Sequence, residues 1–249
     1  MADILLCGCG GRMGKALAAA AARSGDRIVA GVDIAPTEGG PFPVYAFPAE
    51  FCGKADVVVD FSHHSALGAI LQYALTHRTP AVIATTGHSE EELDLLRRAA
   101  EKIPIFYSRN MSLGVNLLIS LCRRAASTLG EDFDVEIVEK HHNQKLDAPS
   151  GTALMIADAL SEGENRPYVY DRHAERRVRE RGEIGIHSVR GGTIVGEHDV
   201  IFAGKDEVLT LSHSAASREV FATGALRAVH FLADKPAGLY SMQDLVDSL

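Results

Sequence analysis

The chain has 249 residues, 46% of them hydrophobic and 23% charged, with a formal net charge of −8 at pH 7. That length suits one large or two modest globular domains, and the apolar content without low-complexity tracts excludes a disordered chain. The acidic balance argues against general nucleic-acid binding, which relies on Lys and Arg neutralising phosphates, so any anionic ligand has to be captured by a local cluster of cations.

Along the first half, apolar runs at 4–7 (ILLC), 27–32 (RIVAGV), 55–61 (ADVVVDF), 81–86 (AVIATT) and 105–108 (IFYS) alternate with helical patterns at 15–24, 65–77 and 89–102. The last of these helices starts with Ser89 as N-cap and acids in its first turn. Continuous β-branched runs separated by helices predict a parallel sheet covered on both faces. A helix at 117–129 then leads into a strand at 134–140. Residues 163–183, rich in Arg and Glu, read as a long exposed loop. From about 183 the pattern is strand-like. The short connections at 191–192 (GG) and 204–206 (GKD) suggest neighbouring antiparallel strands, and a final helix at about 217–233 can return to the first domain.

The expected class is α/β: a Rossmann-like doubly wound parallel sheet domain formed by 1–110 and 216–249, and an α+β domain at 111–215 with an open mixed sheet. An open sheet without covering helices usually finds a partner, so a homo-oligomer is expected. No run approaches the ~20 apolar residues of a membrane helix, and no secretory signal is apparent. Cys7, Cys9, Cys52 and Cys122 are spaced for neither zinc nor disulfides, which points to reduced thiols in the cytoplasm.

GCGGRMG at 8–14 follows the first strand and opens the first helix, where a dinucleotide-binding loop belongs. Its spacing is G-x-x-G-x-x-G on Gly8, Gly11 and Gly14, with Gly10 extra; a plain tight strand–helix turn is the alternative. Asp33 ends the second strand, where a carboxylate can bond the adenosine ribose hydroxyls and repel a 2′-phosphate. No Lys or Arg follows within IAPTEGG, so the cofactor is NADH or NADPH with a leaning to NADH, although Arg12 is able to reach a 2′-phosphate. ATTG at 84–87 and SRNMS at 108–112 end later strands and face the same crevice.

EKHHNQKLDAPSGTAL at 139–154 is the most informative stretch. Adjacent His141 and His142 would point to opposite sides of a continued strand, and no Cys or His recurs at finger-like spacing, so no metal is expected. Turn residues and Ser150 as an N-cap explain DAPSGT without a ligand. They do not explain Lys140, His141, His142 and Lys145 crowded before a helix N-terminus. With Gly151 and Thr152 opening that helix, the cluster suits carboxylates or phosphates. A histidine there is also able to deliver a proton.

The full E-x-H-H-x-x-K-x-D-A-P-S-G-T-A string at 139–153, with GCGGRMG, ATTG, SLGVN at 112–116 and RGGTIVGEH at 190–198, closely resembles the 4-hydroxy-tetrahydrodipicolinate reductase family over nearly the whole chain. The resemblance implies a cyclic imine dicarboxylate as substrate, hydride from NAD(P)H, and a homotetramer built on the second-domain sheets. It makes His141 the proton donor and Lys145 the partner of a substrate carboxylate, with His142, Gly151 and Thr152 at the carboxylate end. It makes Gly8, Cys9, Gly10, Gly11, Arg12, Met13, Asp33, Ala84, Thr85, Thr86, Ser108, Arg109, Asn110 and Met111 the cofactor contacts. The sequence departs from the family in lacking an Arg after Asp33 and in carrying Arg109 within SRNMS. A related reductase for another small dicarboxylate, or a non-catalytic metabolite sensor on the same fold, are the alternatives.

Overall fold

The computed structural model of the chain describes residues 1–36, 39–161, 166–174 and 176–249. It divides into two compact units, Met1–Leu113 with Arg218–Leu249, and Gly114–Ser217. The elements run β1 (Asp3–Cys7), α1 (Arg12–Ser24), β2 (Arg27–Val32), β3 (Val44–Tyr45), β4 (Val57–Asp60), α2 (Leu67–His77), β5 (Ala81–Ile83), α3 (Glu90–Ala100) and β6 (Pro104–Tyr107). They continue with α4 (Leu113–Leu129), β7 (Asp134–His141), α5 (Gly151–Leu160), β8 (Tyr168–Val169), β9 (Ile184–Arg190), β10 (Gly196–Ala203) and β11 (Val208–Ala215). The chain ends with α6 (Glu219–Leu232), β12 (Gly238–Tyr240) and α7 (Met242–Asp247).

The first unit is a seven-stranded, all-parallel sheet in the order β12-β6-β5-β4-β1-β2-β3. Its strands carry continuous apolar runs, such as ILLC in β1 and VVV in β4, because helices cover both faces. Ile4, Leu6 and Val59 face α1 and α6 through Leu17, Ala21, Ala225 and Val229. Leu5 and Val58 face α2 and α3 through Ile70, Ala74, Leu96 and Ala99. Ser89 caps α3 in a reciprocal capping box with Glu92, as the sequence implies. The short edge strands β3 and β12 escape sequence reading, being two and three residues long. The carboxyl ends of β1, β2, β4, β5 and β6 bring Gly8, Asp33, Phe61, Ala84 and Ser108 to one edge, the ligand edge of such sheets.

The second unit is a mixed five-stranded sheet in the order β11-β10-β7-β9-β8. Val115, Leu118 and Ile119 of α4 and Ala153, Ile156 and Ala157 of α5 cover one face, meeting Val135, Ile137, Val200 and Phe202. Two sequence expectations change here. β9 and β10 are not neighbours: β7 lies between them, parallel to β9 and antiparallel to β10. The connection at 191–195 is therefore a bridge over the end of β7, not a tight hairpin turn. Five residues span the two strand spacings, ~10 Å, comfortably. Only β10 and β11 form the expected hairpin.

The stretch at 163–183 is also more than a loop. Residues 163–165 and 175 lie outside the described residues, but β8 pairs with β9. Arg172 and Arg177 bond the buried Glu183, and Arg172 and Arg179 bond Glu136. Glu183 is 1% exposed, and a carboxylate so placed requires cationic partners.

Candidate functional site

In the first unit the glycine loop has the backbone that its sequence suggests. Gly8 has φ +77°, and a Cβ there would lie 2.6 Å from the Phe61 carbonyl oxygen. A Cβ on Gly14 would lie 2.2 Å from the Gly8 carbonyl oxygen, so the first helical turn of α1 can press onto the loop only through glycine. Gly11 is the N-cap of α1 and supplies no side chain to the helix amides. The result is a cradle fit for a pyrophosphate at a helix N-terminus.

The Asp33 carboxylate accepts the Gly10 N–H at 2.9 Å and the Ala35 N–H at 3.2 Å, which anchors it beside the loop. A cleft of about 480 Å³ opens here between Gly8, Gly11, Asp33, Ile34, Phe47, Phe61 and His63. Phe47 and His63 line the cleft without belonging to any sequence motif. Their signal was only the position of their segments after β3 and β4.

The other expected cofactor contacts divide into backbone and side-chain types. Cys9 is buried, with Met13 packed against the same core cluster, so what they present to the loop is backbone. Arg12 is exposed at the start of α1. Thr85 is buried and donates its hydroxyl to Asp60 at 2.8 Å, while Thr86 is exposed and Ala84 half-buried. Asp60, fully buried, also accepts the Ser62 N–H at 2.8 Å, which ties the turns after β4 and β5 together. Ser108 and Asn110 shape their own turn: the Ser108 hydroxyl donates to the Asn110 carbonyl, and Asn110 Oδ1 accepts the Ser112 N–H, each at 2.8 Å. Met111 is 2% exposed and belongs to the core. Arg109 is exposed, and its charge acts on the Tyr107 hydroxyl.

In the second unit the signature stretch folds around β7. The strand alternates between covered and half-open positions, so Val135, Ile137, Glu139 and His141 share the face turned to the helices. The last two of these are polar, and the core face thereby becomes a site. His141 Nδ1 lies 2.6 Å from Glu139 Oε2. Arg190, beside His141 in the β9 register, grips Glu139 with both terminal nitrogens, each at 2.7 Å. The Ser150 N–H donates to Glu139 Oε1 at 3.1 Å, and the Ser150 hydroxyl caps α5 at Ala153 and meets His198 Nε2 at 3.0 Å. The bridge at 191–195 is pinned to the signature by Gly191 N–H to the His141 carbonyl and Asn143 N–H to the Gly192 carbonyl. A Cβ on Gly196 would stand 3.1 Å from His141 Nε2, so this glycine makes room for the ring.

Lys145 is paired with Asp147 at 2.9 Å, in the turn between β7 and α5. His142 begins that turn, half-buried, with its carbonyl accepting the Lys145 N–H. Gly151 and Thr152 form the first positions of α5, at the positive end of its dipole. Lys140 faces the other side of the sheet and binds Glu197 and Asp199, so it is not part of this cluster.

Burial pushes the Glu139 carboxyl up, but hydrogen bonds from Arg190, Ser188 and His141 outweigh it and hold it at about 2. Burial lowers His141 from the ordinary histidine value; Glu139 opposes that, and the charges of Lys145 and Arg190 add to it. Burial and the neighbouring His141 bring His198 down to about 4. The stretch thus carries an imidazole, an ammonium and a helix N-terminus, groups that suit an anion. Glu139, Arg190 and His198 were not singled out as site residues from sequence, although all three stand inside the quoted signature and the RGGTIVGEH string. Among the described residues, no group of three or more His, Cys, Asp or Glu side chains is placed to hold a metal ion, and no helix is long and apolar enough to cross a membrane.

Residues 2–111 match the family profile described as dihydrodipicolinate reductase, N-terminus, and residues 114–246 match dihydrodipicolinate reductase, C-terminus. A 4-hydroxy-tetrahydrodipicolinate reductase of Caldanaerobacter subterraneus subsp. tengcongensis is 56% identical, over 99% of this chain and 98% of its own length. One from Clostridium tetani is 46% identical, over 100% and 98% respectively. The solved dipicolinate-bound dihydrodipicolinate reductase of Paenisporosarcina sp. TG-14 superposes with a TM-score of 0.83 at 25% identity, each chain covered completely. With both family profiles matched in order and relatives aligned over nearly full length, the chain belongs to the dihydrodipicolinate reductase family of oxidoreductases.

Proposed function

We propose that the chain reduces 4-hydroxy-tetrahydrodipicolinate to tetrahydrodipicolinate with loss of water, a step of lysine and diaminopimelate biosynthesis, using NADH or NADPH. The observation that carries this reading is the convergence of His141, Lys145 and the N-terminus of α5 beside a buried, ionised Glu139. The names of the relatives and the dipicolinate held by the solved neighbour support a small dicarboxylate as ligand.

The glycine cradle, with backbone from Gly8, Cys9, Gly10, Gly11, Arg12 and Met13, holds the pyrophosphate of the dinucleotide, and Asp33 meets the ribose hydroxyls. Ala84, Thr85 and Thr86 and the turn of Ser108, Arg109, Asn110 and Met111 lie at the ends of the adjoining strands, toward the nicotinamide half. When bound, the reduced nicotinamide supplies the hydride. Lys145 leaves Asp147 to pair with one substrate carboxylate, and His142, Gly151 and Thr152 hold the carboxylate end against the α5 dipole. His141 gives its proton to the enamine that remains after reduction. A dianionic ligand raises the proton affinity of His141, so the acid is charged when it is needed. The carboxylate of Asp33 favours NADH over a 2′-phosphorylated cofactor, in a cytoplasmic enzyme whose second-unit sheets pair as a homotetramer.

The test is oxidation of reduced cofactor when substrate is generated in situ from pyruvate and aspartate semialdehyde by a synthase. Synthase-dependent oxidation is expected with both cofactors and a higher kcat/KM with NADH. Protein that binds NADH yet oxidises none would defeat the assignment, and a monomer in sedimentation at micromolar concentration would defeat the tetramer.

A further inference from the structure

Glu139 divides its two oxygens between two different parts of the site. Oε2 takes His141 Nδ1 at 2.6 Å and one Arg190 nitrogen; Oε1 takes the other Arg190 nitrogen and the Ser150 N–H at 3.1 Å. Ser150 is the N-cap of α5, immediately before Gly151 and Thr152. Arg190 also donates to the Asp147 carbonyl at 2.7 Å, inside the turn that carries Lys145. One buried carboxylate thus spans from the imidazole to the helix end, and one guanidinium locks that carboxylate to the turn between them.

From this geometry we infer that Glu139 is the positioning residue of the reaction: it fixes His141 as the Nδ1–H tautomer with Nε2 as the proton-exchanging atom, and it sets the spacing between that atom and the carboxylate-holding end of α5. The chemical argument has two parts. An ionised carboxylate accepts and never donates, so the ring hydrogen facing it has to sit on Nδ1. The same negative charge stabilises the imidazolium, opposing the desolvation and the Lys145 and Arg190 charges that favour its loss. The charged and titratable groups around the ring are Glu139 on β7, Lys145 and Asp147 in the following turn, Arg190 on β9, and His198 on β10 with His213 opposite it on β11. Of these, the structure puts only Glu139 in contact with a ring nitrogen of His141. Purely structural anchoring of Ser150 and Arg190 would not need that third contact.

This inference rests on His141 being the acid of the proposed reaction, and the experiment separates the two. Long-range ¹⁵N–¹H spectra of the full-length protein report the tautomer and titration of His141, assigned by the loss of its signals in His141→Gln. In the wild type the neutral ring should carry its hydrogen on Nδ1. In Glu139→Gln, which keeps the shape and removes the charge, the His141 titration should fall by about a unit or more. The kcat of that variant should drop more than tenfold near neutral pH, recover in part as the pH is lowered, and leave NADH binding unchanged. Glu139→Asp should retain an intermediate share of both. A wild-type ring found as the Nε2–H tautomer, or a Glu139→Gln protein whose His141 titrates as before, overturns the inference. The wild-type tautomer alone decides it should the variants fail to fold. Absence of synthase-dependent oxidation would instead overturn the reaction and leave the spectra readable.

Discussion

Thr85 donates its hydroxyl to Asp60 at 2.8 Å and so ties the turn after β5 to the turn after β4. Asp60 also accepts from the Ser62 N–H, and the carboxylate is fully buried, so its hydrogen bonds have no water to replace them. Asp60→Asn places an amide donor against donors and should cost about 2–4 kcal/mol of stability. Thr85→Val should cost about 1–2 kcal/mol. Both should weaken NADH binding, measured by fluorescence titration, without altering the pH dependence of turnover. Unchanged NADH affinity in a folded Asp60→Asn protein would mean that the turns hold their shape without this brace.

The glycine cradle permits a contrast. Gly14→Ala drives a methyl into the Gly8 carbonyl and should destabilise by about 1–3 kcal/mol while abolishing cofactor binding. Gly68→Ala, on an open face of α2, should stabilise by about 0.5–1 kcal/mol and leave NADH affinity alone. Denaturant melts of the two side by side measure the difference; similar outcomes would refute the close approach at Gly14.

His141→Gln should lower kcat by about 10²–10⁴-fold with NADH binding intact. Lys145→Ala should raise the substrate KM and lower kcat together, because the ammonium holds the substrate carboxylate and also stabilises charge that develops in the transition state. Near-normal turnover in the first variant would remove His141 from its role.

Acid should loosen the second unit in a defined window. His198 titrates at about 4 in the folded protein, against ~6.5 for an unfolded histidine. On acidification the unfolded chain takes up this proton first, so the stability from the neutral ring is complete above about pH 6.5 and is lost as the pH falls toward 4. His141, also lowered, adds to the slope with the same sign. The His198 share amounts to roughly 3 kcal/mol across the window. Urea melts between pH 4 and 7 should show the fall, and His198→Asn should flatten it.

Removing the charge at Asp33 should shift cofactor choice. Asp33→Asn should raise the NADPH-to-NADH ratio of kcat/KM by roughly an order of magnitude, the scale of a single charge contact near a protein surface. A ratio that does not move would mean the carboxylate acts only on Gly10 and the loop.

Much of this molecule is legible in its sequence, and the gaps have physical causes. β1 and β4 are readable because a strand buried on both faces carries a continuous apolar run, as ILLC and VVV do. The edge strands β3 and β12 are too short to carry a pattern. The order of the second sheet is hidden from sequence because GG at 191–192 resembles a hairpin turn, whereas pairing is decided by where β7 lies. His141 and Lys145 are visible because cations crowd before a helix. Glu139 is less so: an acid within a β-strand reads as solvated until the alternation of β7 shows that it faces inward. Arg190, 51 positions away in the chain, is joined to it only by the fold.

That bridge over the end of β7 also fixes an order of events during synthesis. The signature peptide emerges early, yet its carboxylate has no guanidinium, and its strand no neighbour on either side, until β9 and β10 have been made. A ribosome-bound chain ending near 160 therefore carries every residue of the DAPSGT turn but lacks the Arg190 and His198 contacts that the closing strands bring to Glu139 and Ser150. The site is complete only when those closing strands are in place. A one-residue error in register would turn Val135 and Ile137 out of the core together with Glu139 and His141, so the register that builds the core is also the one that builds the site.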